Sequence, residues 1–546
     1  MNQQNIVFSV YTRAVDPEAY PAGLAAAVHF AYEDPQGNAV PLNGNYGILF
    51  AVGEINRDDT ILPIGVTKPR IFSMDKETIG ICGRRILEDG TLMDGYFLWK
   101  TRDLIHFESH GYITGEELER WDLNTQLAVP QNLGEAAIHY WSPIKAKKVT
   151  LPKSVEIHAP EELEQISATV SYSDGSKAVK KVDWDPEDLK KLSLPVPENG
   201  GTCEVRGMIR RPDFSFPLAK GYGDPVIFFW EGKWYYISTN DNLDDIGLYV
   251  REGDTVESLF EEGVTEHLIL PFDPERGLEQ TFWAPEFHVI GGELYILFAV
   301  SGPVWGPQCQ VMRFKKGGSI IRESDWEDPI SVVRTDGSPL ATDGITLDMT
   351  YIPAKSGSYM VWSYRRNIGT PLDTGSMLCI ARVDEKKPWQ LTSDPVLLSR
   401  PMLGWENVEG TINNEGPYAF QKDGKVYLTY SGGSANAYTY AVGLLTADSG
   451  DNLTDPASWN KSITPVLTFY SVEGVYGPGH NSFYTNEQGE LMIAYHGETG
   501  LKETLRCDGI RRVHFRKDGT PYFQMAAQED LPEEKREVRL TVTMYR

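Results

Sequence analysis

The chain has 546 residues, too many for one hydrophobic core, and its 41% hydrophobic and 11% aromatic content excludes a disordered polymer. With 51 Lys and Arg against 77 Asp and Glu, the net charge is −26, which repels phosphate backbones and anionic lipid. Nucleic acid and membrane surfaces are therefore excluded as partners, and a neutral ligand is favoured. Five cysteines, Cys82, Cys203, Cys309, Cys379 and Cys507, are scattered without a CxxC, so neither a zinc site nor a disulfide framework is implied. The stretch MNQQNIVFSVYTR has no basic region followed by a long apolar run, and no run of about 18 apolar residues occurs anywhere. The expected compartment is the cytoplasm.

Three regions follow in chain order. Residues 1–145 hold strand-like runs such as NYGILFAVG (45–53), IGICGRRIL (79–87) and GYFLWKTRDLIHF (95–107), then the turn-rich EELERWDLNTQ (116–126). They predict a β-rich accessory domain. Residues 146–210 alternate apolar and polar positions in VTLPKSVEIHA and ISATVSYSDGSKAVKKVDW, which the turn signal SDGS divides, and GTCEVRGMI closes the segment. This predicts a small β-sandwich. It resembles the bacterial Ig-like domains that flank glycosidases, through YSDGS, Val182 with Trp184, and the Gly-Thr-x-x-Val close.

Residues 211–546 repeat one design five times: GDPVIFFWEGKWYYIST (223–239), APEFHVIGGELYILFAV (284–300), LDMTYIPAKSGSYMVWS (347–363), NEGPYAFQKDGKVYLTY (414–430) and GHNSFYTNEQGELMIAY (479–495). Each opens on a polar residue beside a small one, runs extended, turns at a glycine and returns as an aromatic-rich strand. That is a hairpin signature. The openings fall at Asp224, Glu286, Asp348, Glu415 and His480, a period near 64 that marks a β-propeller of five blades. The first strand of a blade lines the central axis, so residues at the same end of five such strands converge. The fold class is all-β: a five-bladed propeller at 211–546, a sandwich at 146–210 and an accessory β domain at 1–145.

Two opposed carboxylates can cleave a glycosidic bond, one giving a proton to the leaving oxygen and the other taking one from water. Asp224 and Glu415 belong to the first and fourth blades, which suits a gap of about 6.5–9.5 Å with water between, and hence inversion. Asp348, on the third blade, is placed to keep Glu415 protonated, because like charges raise a neighbour's pKa. Singly, Asp224 before Pro225, Asp348 and Glu415 before Gly416-Pro417 read as turn residues. Five turn residues have no reason to share one phase, and the shared phase favours a site.

The motifs GDPVIFFWEGKWYYIS, FWAPEFHVIGGELYILFA, LDMTY before YMVWS, NNEGPYAF and VYGPGHNSF together resemble glycoside hydrolase family 43, over residues of about 215–530. The resemblance implies a five-bladed propeller of inverting glycosidases, with Asp224 as general base, Asp348 as pKa modulator and orienter, and Glu415 as general acid. It implies substrate contacts from Arg506, Trp283, Phe282 and His480, and no cofactor for the chemistry. His480 matches an axial histidine that in several members binds a structural calcium ion. Members often carry Asp-Gly at the third carboxylate. Here Met349 follows Asp348, and Asp343-Gly344 makes Asp343 a rival. The 11-residue step from Asp348 to Tyr359 equals that from Asp224 to Tyr235 and favours Asp348. WENVEGTINNEGP, LTYSGGSANAYTYAVGLLTA and DPASWNKSITPVL are most similar to the α-L-arabinofuranosidases of the family. The expected substrate is therefore a plant cell-wall arabino-oligosaccharide cut from its end. β-Xylosidase and endo-arabinanase activity are alternatives within the fold, and a non-catalytic carbohydrate-binding propeller is the alternative of another class.

Overall fold

The computed structural model describes residues 5–192, 201–408 and 412–545. Residues 409–411, inside the WENVEGTINNEGP motif, and 193–200, inside the segment read as a sandwich, lie outside the described residues. The chain is mostly β and divides into two units. The first holds 1–138, 216–484 and 493–510, and the second holds 139–215, 485–492 and 511–546.

Five sheets succeed one another from residue 222 onward. Each is an antiparallel meander, as a chain of hairpins requires. The first contains Tyr222–Trp230, Lys233–Asn240, Leu248–Gly253 and His267–Leu270. The innermost strands of the next four are Gln280–Ile290, Gly344–Ala354, Asn414–Lys422 and Tyr476–Thr485. The fifth sheet has three named strands, ending at Cys507–Arg512. Residues 218–221 complete it: Leu218 N–H donates to Asp508 O, Asp508 N–H to Ala219 O and Gly221 N–H to Arg506 O, at 2.8–2.9 Å. The segment before the first blade thus pairs with the last, which closes a ring and removes its free edges. Apolar side chains fill the seams between blades. Val226, Ile237, Phe282, Phe287 and Ile296 join the first and second, and Leu297, Met349, Tyr351 and Trp362 join the second and third.

One irregularity recurs in every innermost strand. Asp224, Ala284, Asp348, Gly416 and His480 all have positive φ, between 41° and 58°. In four of the five the ladder register slips at that residue, between 223 and 226, 283 and 286, 347 and 350, and 415 and 418. These are β-bulges, which re-aim a side chain at the cost of about 1–2 kcal/mol for a non-glycine in this conformation. Pro225, Pro285 and Pro417 follow three of them and bring no N–H that the broken ladder would leave unpaired. The bulges define the repeat, and in that phase Ala284, not Glu286, is the counterpart of Asp224.

The N-terminal part of the first unit carries two four-stranded sheets. One, Gly65–Ser73, Ile79–Ile86, Leu92–Thr101 and Phe107–Ile113, is again a meander. Its first strand has the same bulge, with Lys68 at φ 51° before Pro69 and a register slip between Thr67 and Arg70. It is built like a blade, with a lysine where the first blade has Asp224.

In the second unit a six-stranded sheet runs in the order Ala146–Thr150, Ser167–Tyr172, Lys177–Trp184, Gly201–Ile209, Glu537–Met544 and Ser154–Ile157. The chain's last strand therefore lies in this sheet and not in the propeller, where a boundary at 546 would put it. It covers an edge that Gly201–Ile209 would otherwise expose. The core gathers Ile144, Val170, Trp184, Val205 and Leu540. Buried Lys180 is neutralised by Asp530 at 2.7 Å and Glu490 at 2.9 Å. Among the described residues no helix is long and apolar enough to cross a membrane.

Gly416 combines φ 55° with a neighbour that leaves no room, since a Cβ there would stand 2.8 Å from the His480 ring. Gly416→Ala is expected to destabilise the protein by about 2 kcal/mol and lower its melting temperature. Ala284→Gly, which relieves strain at the same place in the second blade, is expected to leave the melt unchanged or raise it. Equal melts for both variants would contradict the bulge account.

Candidate active site

Where the bulges meet, a cavity of about 540 Å³ is walled by Asp224, Asp348, Glu415, His480, Arg506 and Trp283. Two of these, Asp224 and Asp348, are bulge residues, Glu415 directly precedes another, and His480 shares their positive φ. The broken ladder therefore does more than bend the strand. It directs polar side chains from separate blades into one space.

Four of the five positive-φ residues also use their N–H. Asp224 N–H donates to His496 Nδ1 at 3.1 Å, Ala284 N–H to Thr239 Oγ1 at 2.9 Å, Gly416 N–H to Asp348 Oδ2 at 3.1 Å and His480 N–H to Ser431 Oγ at 2.7 Å. In every case the acceptor belongs to the preceding blade, with the first blade following the fifth. The hydroxyls then turn to the acids: Thr239 donates to Asp224 Oδ2 at 2.5 Å, and Ser363 to Asp348 Oδ2 at 2.9 Å.

The carboxyls stand in unlike surroundings. Arg506 Nη1 lies 3.0 Å from Asp224 Oδ1 and His480 Nδ1 lies 3.1 Å from it. Burial pushes the Asp224 pKa up, but His480 and the Arg506 guanidinium more than reverse this, and it falls well below the ordinary range. Asp224 is ionised. Among the described residues Glu415 forms no ion pair, and the charge of Arg365 lowers its pKa by less than burial and Asp348 raise it. Burial, with the charge of Asp348 adding, lifts its pKa to about 8, opposed by the Tyr440 hydroxyl that donates to Oε1 at 3.0 Å. Glu415 carries its proton at neutral pH. Asp348 is raised by burial, against the pull of His480, and accepts from Ser363 and from the Gly416 N–H.

Further expectations take their places around this centre. Arg506 also donates through Nε to Asp241 Oδ2 at 2.9 Å, so it bridges two acids. Trp283 borders the cavity and donates from Nε1 to Asp245 Oδ2 at 2.8 Å. Phe282 does not reach the cavity. It is 1% exposed and belongs to the seam between the first two blades. Asp343 is exposed on the surface, where the Tyr364 hydroxyl donates to it, and it takes no part in the site. Glu286 lies 2.6 Å from His288, and burial pushes the acid up and the imidazole down to about 3, which makes them a neutral buried pair. Among the described residues no three His, Cys, Asp or Glu side chains form a metal-ligand group. His480 lines the cavity and turns its Nδ1 to Asp224.

The motif reading missed Tyr440, His496, Thr239, Ser363 and Asp241. Thr239 and Ser363 had a signal in the repeat, since each stands in the second strand opposite the residue before the bulge, as Ser431 does, whereas Tyr440, His496 and Asp241 had position alone. His496 is fully buried, is held neutral by that burial, and stacks on Tyr440 at 5.6 Å with rings 6° apart.

A cavity shared by an ionised and a protonated carboxyl is an arrangement found in glycoside hydrolases. The family model for glycosyl hydrolases family 43 matches residues 216–521, and the chain belongs to that family. It is 32% identical over 323 residues to an extracellular exo-α-(1→5)-L-arabinofuranosidase of Streptomyces avermitilis, covering 57% of this chain and 63% of that protein. It is 34% identical over 291 residues to a protein of the same description from Streptomyces chartreusis, covering 53% of this chain and 83% of that one. Among solved structures, an α-L-arabinofuranosidase from Lactobacillus brevis matches with a TM-score of 0.49 at 28% identity, over 57% of this chain and 96% of that one.

The loop that carries Tyr440 also contributes Ala435 and Asn436 to the cavity wall. Aromatic rings support it. Tyr438 meets Phe469 at 5.1 Å, and Phe469 and Tyr470 meet Tyr46 at 6.3 and 6.0 Å. Tyr46 and its neighbour Tyr20 come from loops of the N-terminal region, which shares a core with the third and fourth blades. Asp59 ties the same region to Arg400 at 2.7 Å and to Arg366. The N-terminal region is thus part of the wall behind the site. Tyr46→Ala is expected to cost about 3–5 kcal/mol and to lower kcat in the folded fraction. Tyr46→Phe should preserve both, because the Tyr46 hydroxyl has no hydrogen-bond partner among the described residues. A folded Tyr46→Ala protein with unchanged kcat and KM would contradict the link between ring cluster and cavity.

Proposed function

We propose that the chain is an inverting, exo-acting glycoside hydrolase that removes terminal α-L-arabinofuranosyl units from arabino- or arabinoxylo-oligosaccharides of plant cell walls. The observation that carries this reading is the contrast between Asp224, surrounded by Arg506, His480 and Thr239, and Glu415, which accepts a tyrosine hydroxyl and forms no ion pair among the described residues.

Asp224, ionised, takes a proton from a water molecule as that water attacks the anomeric carbon. Glu415 gives its proton to the glycosidic oxygen as the carbon–oxygen bond breaks. The new bond forms opposite the old one, and the configuration inverts. Asp348 accepts the Gly416 N–H, which fixes the backbone directly after Glu415, and its charge keeps the acid loaded. Arg506 and His480 orient Asp224. The exo assignment draws on a cavity of pocket size, walled by Asp241, Asp244 and Asp245 as well as by Ala435 and Asn436. The arabinofuranosyl assignment draws on the descriptions of both Streptomyces relatives. We read the sheet of the second unit as Ig-like, on its strand number and the SDGS turn, with an accessory role.

Glu415→Gln is expected to lower turnover of oligosaccharides by about 10²–10⁴, the usual contribution of a general acid, and to spare nitrophenyl glycosides in part. Asp224→Ala is expected to abolish turnover of both. Rates on p-nitrophenyl α-L-arabinofuranoside and β-D-xylopyranoside decide the sugar. Preference for the xyloside would overturn the arabinofuranosyl assignment, and equal losses on good and poor leaving groups in Glu415→Gln would overturn the acid role.

A further inference from the structure

The second blade ends its hairpin of Gln280–Ile290 and Glu293–Ser301 in a turn, 302–306, that exposes two large apolar side chains. Val304 is 80% exposed and Trp305 is 42% exposed. An isolated surface apolar residue needs no explanation, but this pair adjoins the cavity. Trp305 meets the ring of Trp283 edge-on, with centroids 6.4 Å apart at 69°. Trp283 itself lines the cavity and packs with Leu347, another lining residue. An apolar strip therefore leads out of the cavity through Leu347 and Trp283 to Trp305.

The turn is held from several directions. Gln280 Nε2 donates to Gly302 O at 2.8 Å, Gly306 N–H donates to Ser301 Oγ at 3.1 Å, and Ser301 Oγ is itself 2.6 Å from Thr281 Oγ1. Beyond the turn, Thr346 N–H donates to Pro307 O at 3.0 Å. Each anchor limits the ways in which the exposed indole could retreat into the protein. A tryptophan kept exposed in this manner, beside a site that handles sugars, offers a flat apolar face to a flat apolar partner.

We propose that Trp305, with Val304 beside it, is the platform for the sugar units on the leaving side of the cleaved bond. The inference rests on the glycosidase reading above. The unit to be released must lie among Asp224, Asp348 and Glu415, inside the cavity. The remainder of the chain must leave past the rim, and Trp305 is the aromatic surface that continues the cavity's own Trp283 outward. The C–H face of a furanose or pyranose ring is the chemistry that fits it, and the platform would favour short chains over a free monosaccharide glycoside.

The test compares α-(1→5)-linked arabinotriose with methyl α-L-arabinofuranoside, whose leaving group is too small to reach the turn. In Trp305→Ala, the ratio of kcat/KM for the triose to that for the methyl glycoside is expected to fall about 3–10-fold, as the loss of one aromatic contact implies. The change should appear mainly in KM, and Trp305→Phe should recover most of it. An unchanged ratio overturns the platform. Failure of the wild type to cleave either arabinoside defeats the substrate assignment alone. The platform is then judged by binding, with Asp224→Ala titrated with arabinotriose and with xylotriose and followed by tryptophan fluorescence, in the presence and absence of Trp305→Phe. A fluorescence change lost with Trp305 supports it, and identical titrations, or no binding of either sugar, overturn it.

Discussion

The donation of an N–H at the positive-φ residue to a polar side chain of the preceding blade, made in four of the five blades, is the interaction on which the rest depends. Without it, a non-glycine at positive φ in the middle of a sheet would hold strain and an unpaired donor at once. With it, the bulges of the first, second, fourth and fifth blades are latched to their neighbours through His496, Thr239, Asp348 and Ser431. The same latches aim Asp224, Asp348 and His480 into one cavity. The joints between blades and the assembly of the cavity therefore share one hydrogen-bond pattern, and Asp224 and Asp348 are built into it.

The second consequence is electrostatic. Several carboxyls in one buried space cannot all be ionised at low cost. The protein resolves this by uneven partnering. Asp224 has a guanidinium, two imidazoles and a hydroxyl, whereas Glu415 accepts a phenol and forms no ion pair among the described residues, and the two are pushed to opposite sides of neutrality. Burial acts in the same upward direction on both, so the partners decide which acid gives up its proton. This contrast separates the roles of base and acid without appeal to the order of the residues in the chain.

Much of this was legible in the sequence. Alternation and glycine turns marked five hairpins, and their period brought Asp224, Asp348 and Glu415 together. The phase was less visible. Choosing the acidic residue of each segment led to Glu286, whereas the backbone repeat runs through Ala284, and Pro225, Pro285 and Pro417 mark it. Phe282 failed as a sugar contact because neighbours in a strand face opposite ways, and here Trp283 has the cavity and Phe282 the seam. The closing segment 218–221 is too short to show a strand pattern. The strand Glu537–Met544 reads as a strand but carries no sign of its partners, which lie more than 300 residues earlier. Tyr440 and His496 act by proximity alone.

The central claim is that Glu415 holds the proton that Asp224 lacks. The pH dependence of kcat/KM, which reports the free enzyme, tests it most directly when wild type and Glu415→Gln are measured on the same nitrophenyl arabinofuranoside. A general acid works only while protonated, so the wild-type rate is expected to fall as pH rises through about 8. The amide cannot titrate, and the alkaline fall should vanish in Glu415→Gln. An alkaline limb that survives the substitution at the same pH would assign the proton to another group and contradict the account.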